Sequence, residues 1–142
     1  MGKKRIVKTG GAAKDSKAKA SSKGPKKKVA EGSLYAEATF NNTKVALTDK
    51  KGNVLFWSSS GSLGFRGAKK GTPFAAAKVG DLVAEKAEGF GVKEVDVVVK
   101  GVGTGRESAI RSFMSRGIEL TSIKDRTPVP FNGPKAPKPR RV

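Results

Sequence analysis

The sequence predicts an α/β fold: a mixed sheet in β-β-β-α-β-α-β order with flanking helices, plus extended basic arms at the N- and C-terminal ends. Three observations carry this. Residues 33–60 hold three runs of period-two or apolar character separated by short polar turns. Two segments, starting near Thr72 and Arg106, switch to a helical period. The runs that follow them, 93–100 and 118–125, are strand-like again, which gives the sheet an antiparallel half and a parallel half.

The elements follow in order. In Ser33–Phe40, Leu34, Ala36, Ala38 and Phe40 share one face, while Tyr35, Glu37 and Thr39 share the other. Asn41-Asn42 suits a tight hairpin, because Asn tolerates positive φ. Thr43–Asp49 is a second strand with Val45 and Leu47 inward, Lys50–Asn53 a turn, and Val54–Ser60 a third strand. Tyr35 and Trp57 are expected in or beside the core, with no aromatic platform on adjacent strands. Gly61–Gly71, with four glycines and three cations, reads as an irregular loop. Thr72 caps a helix with Pro73 in its first turn, running to about Ala87 or Glu88. Its apolar stripe is Ala75, Ala76, Val79, Leu82, Val83, Ala87 and Phe90, and Gly89 and Gly91 stop it. In Lys93–Lys100, Val95, Val97, Val98 and Val99 are nearly continuous, which predicts burial on both faces. A second glycine loop, Gly101–Gly105, leads into a helix over Arg106–Arg116 with Ala109, Ile110, Phe113 and Met114 inward. Ile118–Asp125 is the last strand.

Composition narrows the function. The chain has 142 residues and a net charge of +18, a length suited to one domain with tails. Cys and His are both absent, which excludes disulfides, thiolate metal sites, His-ligated metals and imidazole general bases. No metal, cofactor or small-molecule substrate is expected. No apolar run reaches the roughly 18 residues of a membrane span, and no membrane partner is expected. Residues 1–32 hold 11 basic and 2 acidic residues, residues 33–125 hold 14 and 10, and residues 126–142 hold 5 and none. The excess charge therefore sits mainly at the ends. This divides the chain into a basic, disordered arm (1–32), an α/β globular domain (33–125) and a proline-rich basic tail (126–142). The first arm reads either as a solubilising tail or as one that orders on a phosphate backbone; it has neither the apolar stretch of a secretory signal nor the Arg-rich amphipathic character of a transit peptide. In the tail, prolines enforce an extended course beside Lys135, Lys138, Arg140 and Arg141. A proline-rich ligand for a peptide-binding module competes there, but the charge density favours nucleic acid.

Several segments can receive anions. Gly101, Gly103 and Gly105 precede a helix N-terminus and Arg106, which suits a phosphate contact or a plain β-α turn. The loop is neither a dinucleotide fingerprint nor a P-loop, since Arg106 stands where the third glycine belongs and no Gly-Lys-Ser/Thr ending follows. In the loop before Thr72, Phe65 and Arg66 stand between Gly64 and Gly67, with Lys69-Lys70 following. An aromatic, a guanidinium and pliant backbone suit folded RNA, and packing of Phe65 under its loop is compatible with that. Asp81, Glu85 and Glu88 read as a solvated helix face. Two rivals remain: a DNA-compacting basic protein, suggested by the Lys-Ala-Ser arm, and a metal-dependent nuclease built on Asp49, Asp96 and Asp125. Asn132-Gly133 is a sequence prone to succinimide formation.

A set of motifs in order carries a resemblance. Phe40-Asn41-Asn42-Thr43, Gly64-Phe65-Arg66-Gly67, Gly71 through Ala76, Lys100 through Ser108, and Asp125 through Gly133 together resemble the small-subunit ribosomal protein S-eleven family, bacterial type, over roughly residues 30–142. Val102 and Thr104 depart from the prolines usual in the glycine loop, and Phe131 and Pro134 from the His and Cys usual in the tail. The resemblance implies a non-enzymatic protein of the cytoplasmic ribosome, seated in the platform of the small subunit. Its implied partners are small-subunit ribosomal RNA and neighbouring ribosomal proteins, with the messenger's Shine-Dalgarno region nearby. Carried over by position, Asn41, Asn42, Thr43, Gly64, Phe65, Arg66, Gly67, Lys69, Lys70, Lys100, Gly101, Gly103, Gly105, Arg106, Arg111, Asn132, Gly133, Lys135, Lys138, Arg140 and Arg141 would meet RNA.

Overall fold

The computed structural model describes residues 27–141; most of the expected arm over 1–32 lies outside them. The elements are β1 (Glu31–Ala38), β2 (Thr43–Asp49), β3 (Val54–Ser59), a 3-10 turn (Gly67–Gly71), α1 (Pro73–Phe90), β4 (Glu94–Lys100), α2 (Gly105–Met114) and β5 (Glu119–Asp125). One five-stranded sheet has the order β3-β2-β1-β4-β5. β1–β2 and β2–β3 are antiparallel, while β1–β4 and β4–β5 are parallel, as expected.

This order explains where the helices go. β3, β1, β4 and β5 all point the same way, so β3-α1-β4 and β4-α2-β5 are both parallel crossovers, and both step toward the same edge. Crossovers of one hand stepping in one direction lay their helices on one face. α1 and α2 accordingly pack against each other and against the same side of the sheet. That side carries Leu34, Val45, Leu47, Val95, Val97 and Val99, which meet Val79, Val83, Ala109 and Phe113 in the core.

The opposite face is uncovered, and this overturns two expectations. β4 is not buried on both faces: Val95, Val97 and Val99 are buried, but Asp96 and Val98 are half-buried on the bare side. Trp57 and Tyr35 are not core residues; they are 60% and 42% exposed there. A continuous valine run cannot by itself report which face a helix covers.

Local chemistry sets the boundaries. The Thr72 hydroxyl accepts from the Ala75 N–H at 3.3 Å and donates to the Lys69 carbonyl at 2.7 Å, so it caps α1 and closes the turn before it. That turn is a 3-10 segment where an irregular loop was expected. α1 runs through Gly89 and stops at Gly91, whose φ of 77° supplies the left-handed cap. Phe40 lies beyond the end of β1 and is exposed, rather than sharing the inward face, and Met114 is exposed rather than inward. The β1–β2 hairpin forms, yet neither Asn41 nor Asn42 adopts positive φ. Instead the Thr39 N–H donates to the Asn42 carbonyl at 2.8 Å, and the Thr39 hydroxyl accepts from the Asn42 N–H at 3.1 Å. At the far end of β2, the Asp49 carboxylate accepts from the backbone and side-chain N–H groups of Asn53 at 2.8 and 2.9 Å. The side-chain bond first, and then the backbone bond, hold its pKa below the usual carboxylate range.

The helix pair depends on Gly80. A Cβ there would overlap the Ala109 carbonyl of α2, whereas one at Gly89 would meet nothing. Gly80→Ala is therefore expected to destabilise the protein by about 1–3 kcal/mol through overpacking. Gly89→Ala should stabilise it by about 0.5–1 kcal/mol through helix propensity. Urea unfolding midpoints check both; equal shifts would contradict the packing assigned to Gly80.

Candidate nucleic-acid interface

Register places the anion-receptive segments together. Ala38 pairs with Thr43, Lys44 with Ser59, Glu37 with Lys100 and Val99 with Asp125. One end of the sheet thus gathers the C-terminal ends of β1, β3, β4 and β5 and the start of β2. α1 and α2 also begin there, because each follows a strand that ends there. Two helix N-termini add partial positive charge to the end that carries the loops.

The loops meet around the β1–β2 hairpin. The Gly103 N–H donates to the Ala38 carbonyl at 2.8 Å, and a Cβ at Gly103 would overlap the Thr39 carbonyl. Gly71 lies equally close to the Phe40 carbonyl. Gly105 presses on Ala76 and on the Thr43 hydroxyl, which is buried without a hydrogen-bond partner among the described residues. The Thr104 hydroxyl donates to the Gly71 carbonyl at 3.0 Å, tying one glycine loop to the other. Asn41, Asn42, Thr43, Gly71, Gly101, Gly103 and Gly105 therefore form one junction, in which Gly71, Gly101 and Gly103 lie against backbone and Gly105 against side chains.

Arg106 has a second task besides any anion contact. Its Nη1 donates to the Gly101 carbonyl at 2.8 Å, and its Nη2 pairs with Asp125 Oδ2 at 2.5 Å. Asp125 Oδ1 accepts from the Thr127 N–H at 2.9 Å and from its hydroxyl at 2.6 Å. The Thr127 hydroxyl also accepts from the Gly101 N–H at 3.2 Å. The Thr127 bonds first, then the Arg106 guanidinium, lower the Asp125 pKa to about 2. This network locks the glycine loop to the root of the tail, a role no local motif announces.

Around the junction, Arg66, Lys69, Lys100 and Arg126 are exposed and Lys70 is half-buried. Gly64 and Gly67 stand exposed on either side of Phe65-Arg66, both at positive φ. Phe65 is half-buried, edge-on to Phe74 with ring centres 6.1 Å apart, and Lys78 Nζ stands 5.6 Å from the Phe74 ring centre. Phe74, Lys78, Lys44 and Arg126 are additions to the sequence-based set. The alternation of Lys44 with inward Val45 was the available signal for one of them. Arg111 lies apart, exposed in the last turn of α2. Asn132, Gly133, Lys135, Lys138, Arg140 and Arg141 lie exposed in a tail without helix or strand, with Asn132 at φ 57°.

The nuclease set is not assembled. Asp49 stands at the opposite end of the sheet from Asp125, and Asp96 accepts from the Ser122 hydroxyl at 2.8 Å in between. Among the described residues no three acidic groups are placed to hold a metal. No helix among them is long and apolar enough to cross a membrane.

Two outcomes test this construction. Gly103→Ala should lower stability by about 1–3 kcal/mol and disturb amide signals at Ala38 and Thr39; an unchanged spectrum would contradict the junction. An NMR titration should read the Asp125 carboxyl near 2 instead of 3.8. Because its pKa is depressed in the fold, the stability it adds is complete above about pH 3.8 and is lost as pH falls toward about 2. Asp125→Asn should remove that part of the pH dependence, and a retained slope would contradict the assignment.

A comparison with family models is consistent with this architecture. The model of Ribosomal protein S11 matches residues 32–141, which takes in all of the sheet but Glu31, both helices, the junction and nearly all of the tail. The family is a structural one of the small subunit, binds its ribosomal RNA beside neighbouring ribosomal proteins, and works in the cytoplasmic ribosome. With so much of its length matched, the chain belongs to the Ribosomal protein S11 family.

Proposed function

We propose that the loop-bearing end of the sheet is the surface that docks on small-subunit ribosomal RNA, in the platform and beside the cleft that receives the messenger's Shine-Dalgarno duplex. The chain serves there as scaffold and not as catalyst. It divides its work among a basic arm (1–32), an α/β body (33–125) and a basic tail (126–142), with the body fitting between RNA helices and the arms entering crevices. The supporting observation is the convergence of Asn41–Thr43, Phe65-Arg66, Lys69-Lys70, Lys100 and Gly101–Gly105 on one end, where two helices also begin. Phosphate neutralisation and shape recognition account for binding without a base-reading code.

The test is sedimentation of tagged protein from lysate, with and without a high-salt wash. Co-migration with the small subunit should survive the wash. Release by salt, or migration with DNA, would favour the DNA-compacting reading. Affinity for isolated RNA should fall with salt at a log–log slope of about −0.7 to −0.9 per phosphate neutralised. Removing residues 126–142 should reduce incorporation into subunits more than removing residues 1–20. Equal or reversed effects would overturn the weight given to the tail.

A further inference from the structure

The uncovered face of the sheet carries an ordered row of side chains. Register aligns Trp57 on β3, Ala46 on β2, Tyr35 on β1, Val98 on β4 and Lys124 on β5. The two aromatics flank the smallest side chain of the row. Between them lies a hollow of about 230 Å³ that Lys44 borders. On the other side of Tyr35, a second hollow of about 390 Å³ is bordered by Lys100, Arg126 and Pro128. Nothing among the described residues covers either ring, although large aromatics on a sheet face normally bury their area against a second layer.

We propose that this face binds unpaired RNA nucleotides, whose bases stack on Trp57 and Tyr35 while phosphates meet Lys44, Lys100 and Arg126. Three observations select RNA as the occupant. The face is amphipathic in the sense that stacking requires: flat π surfaces beside cations. Beside the aromatic row four cations, Lys44, Lys100, Lys124 and Arg126, outnumber Glu37, which borders both hollows, and Asp96, whose carboxylate is engaged by Ser122; Glu31, Glu94 and Glu119 stand in register at the far end of the same face, where Lys50 pairs with Glu31. Lys100 and Arg126 also belong to the loop-bearing end, so one strand of RNA can pass from the junction onto the sheet along these two cations, with Glu37 the one acidic side chain among the described residues that border the hollow beside them.

The proposal rests on the RNA-binding reading but fails separately from it. Trp57 is the sole tryptophan of the chain, so its emission reports on this face alone. The full chain is titrated with a short unpaired RNA of mixed sequence, with duplex RNA of the same length, and with inorganic polyphosphate as a pure charge control. Unpaired RNA should quench Trp57, and the other two should not. Tyr35→Ala and Tyr35→Leu should each weaken binding of unpaired RNA by about tenfold, read by anisotropy of labelled RNA, while Tyr35→Phe retains it. Tyr35→Leu keeps an apolar side chain of some bulk on the strand, so its loss of affinity reports the ring and not the fold. Binding of RNA with unchanged Trp57 emission would overturn the stacking face and leave the RNA-binding reading standing. So would equal quenching by duplex RNA or by polyphosphate. Failure to bind any RNA would overturn both.

Discussion

The structure turns on the approach of backbone to backbone at the β1–β2 hairpin. The carbonyls of Ala38, Thr39 and Phe40 are met by Gly101, Gly103 and Gly71, from segments that are far apart in the chain. No side chain larger than hydrogen fits between them. Three loops that would otherwise wander over the surface are thereby held in one arrangement, and the Thr104–Gly71 bond cross-links two of them directly. A polyanion meets a shaped surface rather than a set of loose cationic strings, so less ordering entropy is lost on docking.

The second constraint is topological. Two same-handed crossovers stepping in one direction place both helices on one side and leave the other side of the sheet bare. A sheet with one bare face usually makes that face polar. Here it holds a tryptophan and a tyrosine in register across three strands, which is a departure from the minimum that solubility requires. Departures of that kind mark contact surfaces more often than folding requirements.

Much of this was legible in the residues. Period-two alternation placed β1 and β2, Thr72-Pro73 placed the start of α1, and the placement of helices between strands gave the parallel half of the sheet. The glycine loops and Lys69-Lys70 marked segments that the fold then gathers. What was not legible depends on distance. Alternation says that Tyr35 and Leu34 face opposite ways, but not which face the helices cover. Val98 looked buried because its neighbours are valines, although burial is decided by what lies above it. Arg106 looked like a free cation because its partner, Asp125, is brought to it only by the pairing of β4 with β5. Gly89 looked like a stop signal, yet the helix ends where a left-handed residue can receive it, two positions later.

The lock among Arg106, Asp125 and Thr127 also fixes a sequence in time. During synthesis β1 and β2 emerge first and can pair at once, but the other edge of β1 waits for β4, and β4 waits for β5. The Gly101–Gly105 loop acquires its tether to the tail only when Asp125 and Thr127 have left the ribosome that is making the chain. The recognition end is thus completed last, because its final tether comes from residues beyond Ile118 and Leu120, the last side chains of the core. A truncated or stalled chain ending before β5 would keep the glycine approaches to the hairpin but lack the lock on Arg106, and its tail would have no fixed root from which to seat on RNA.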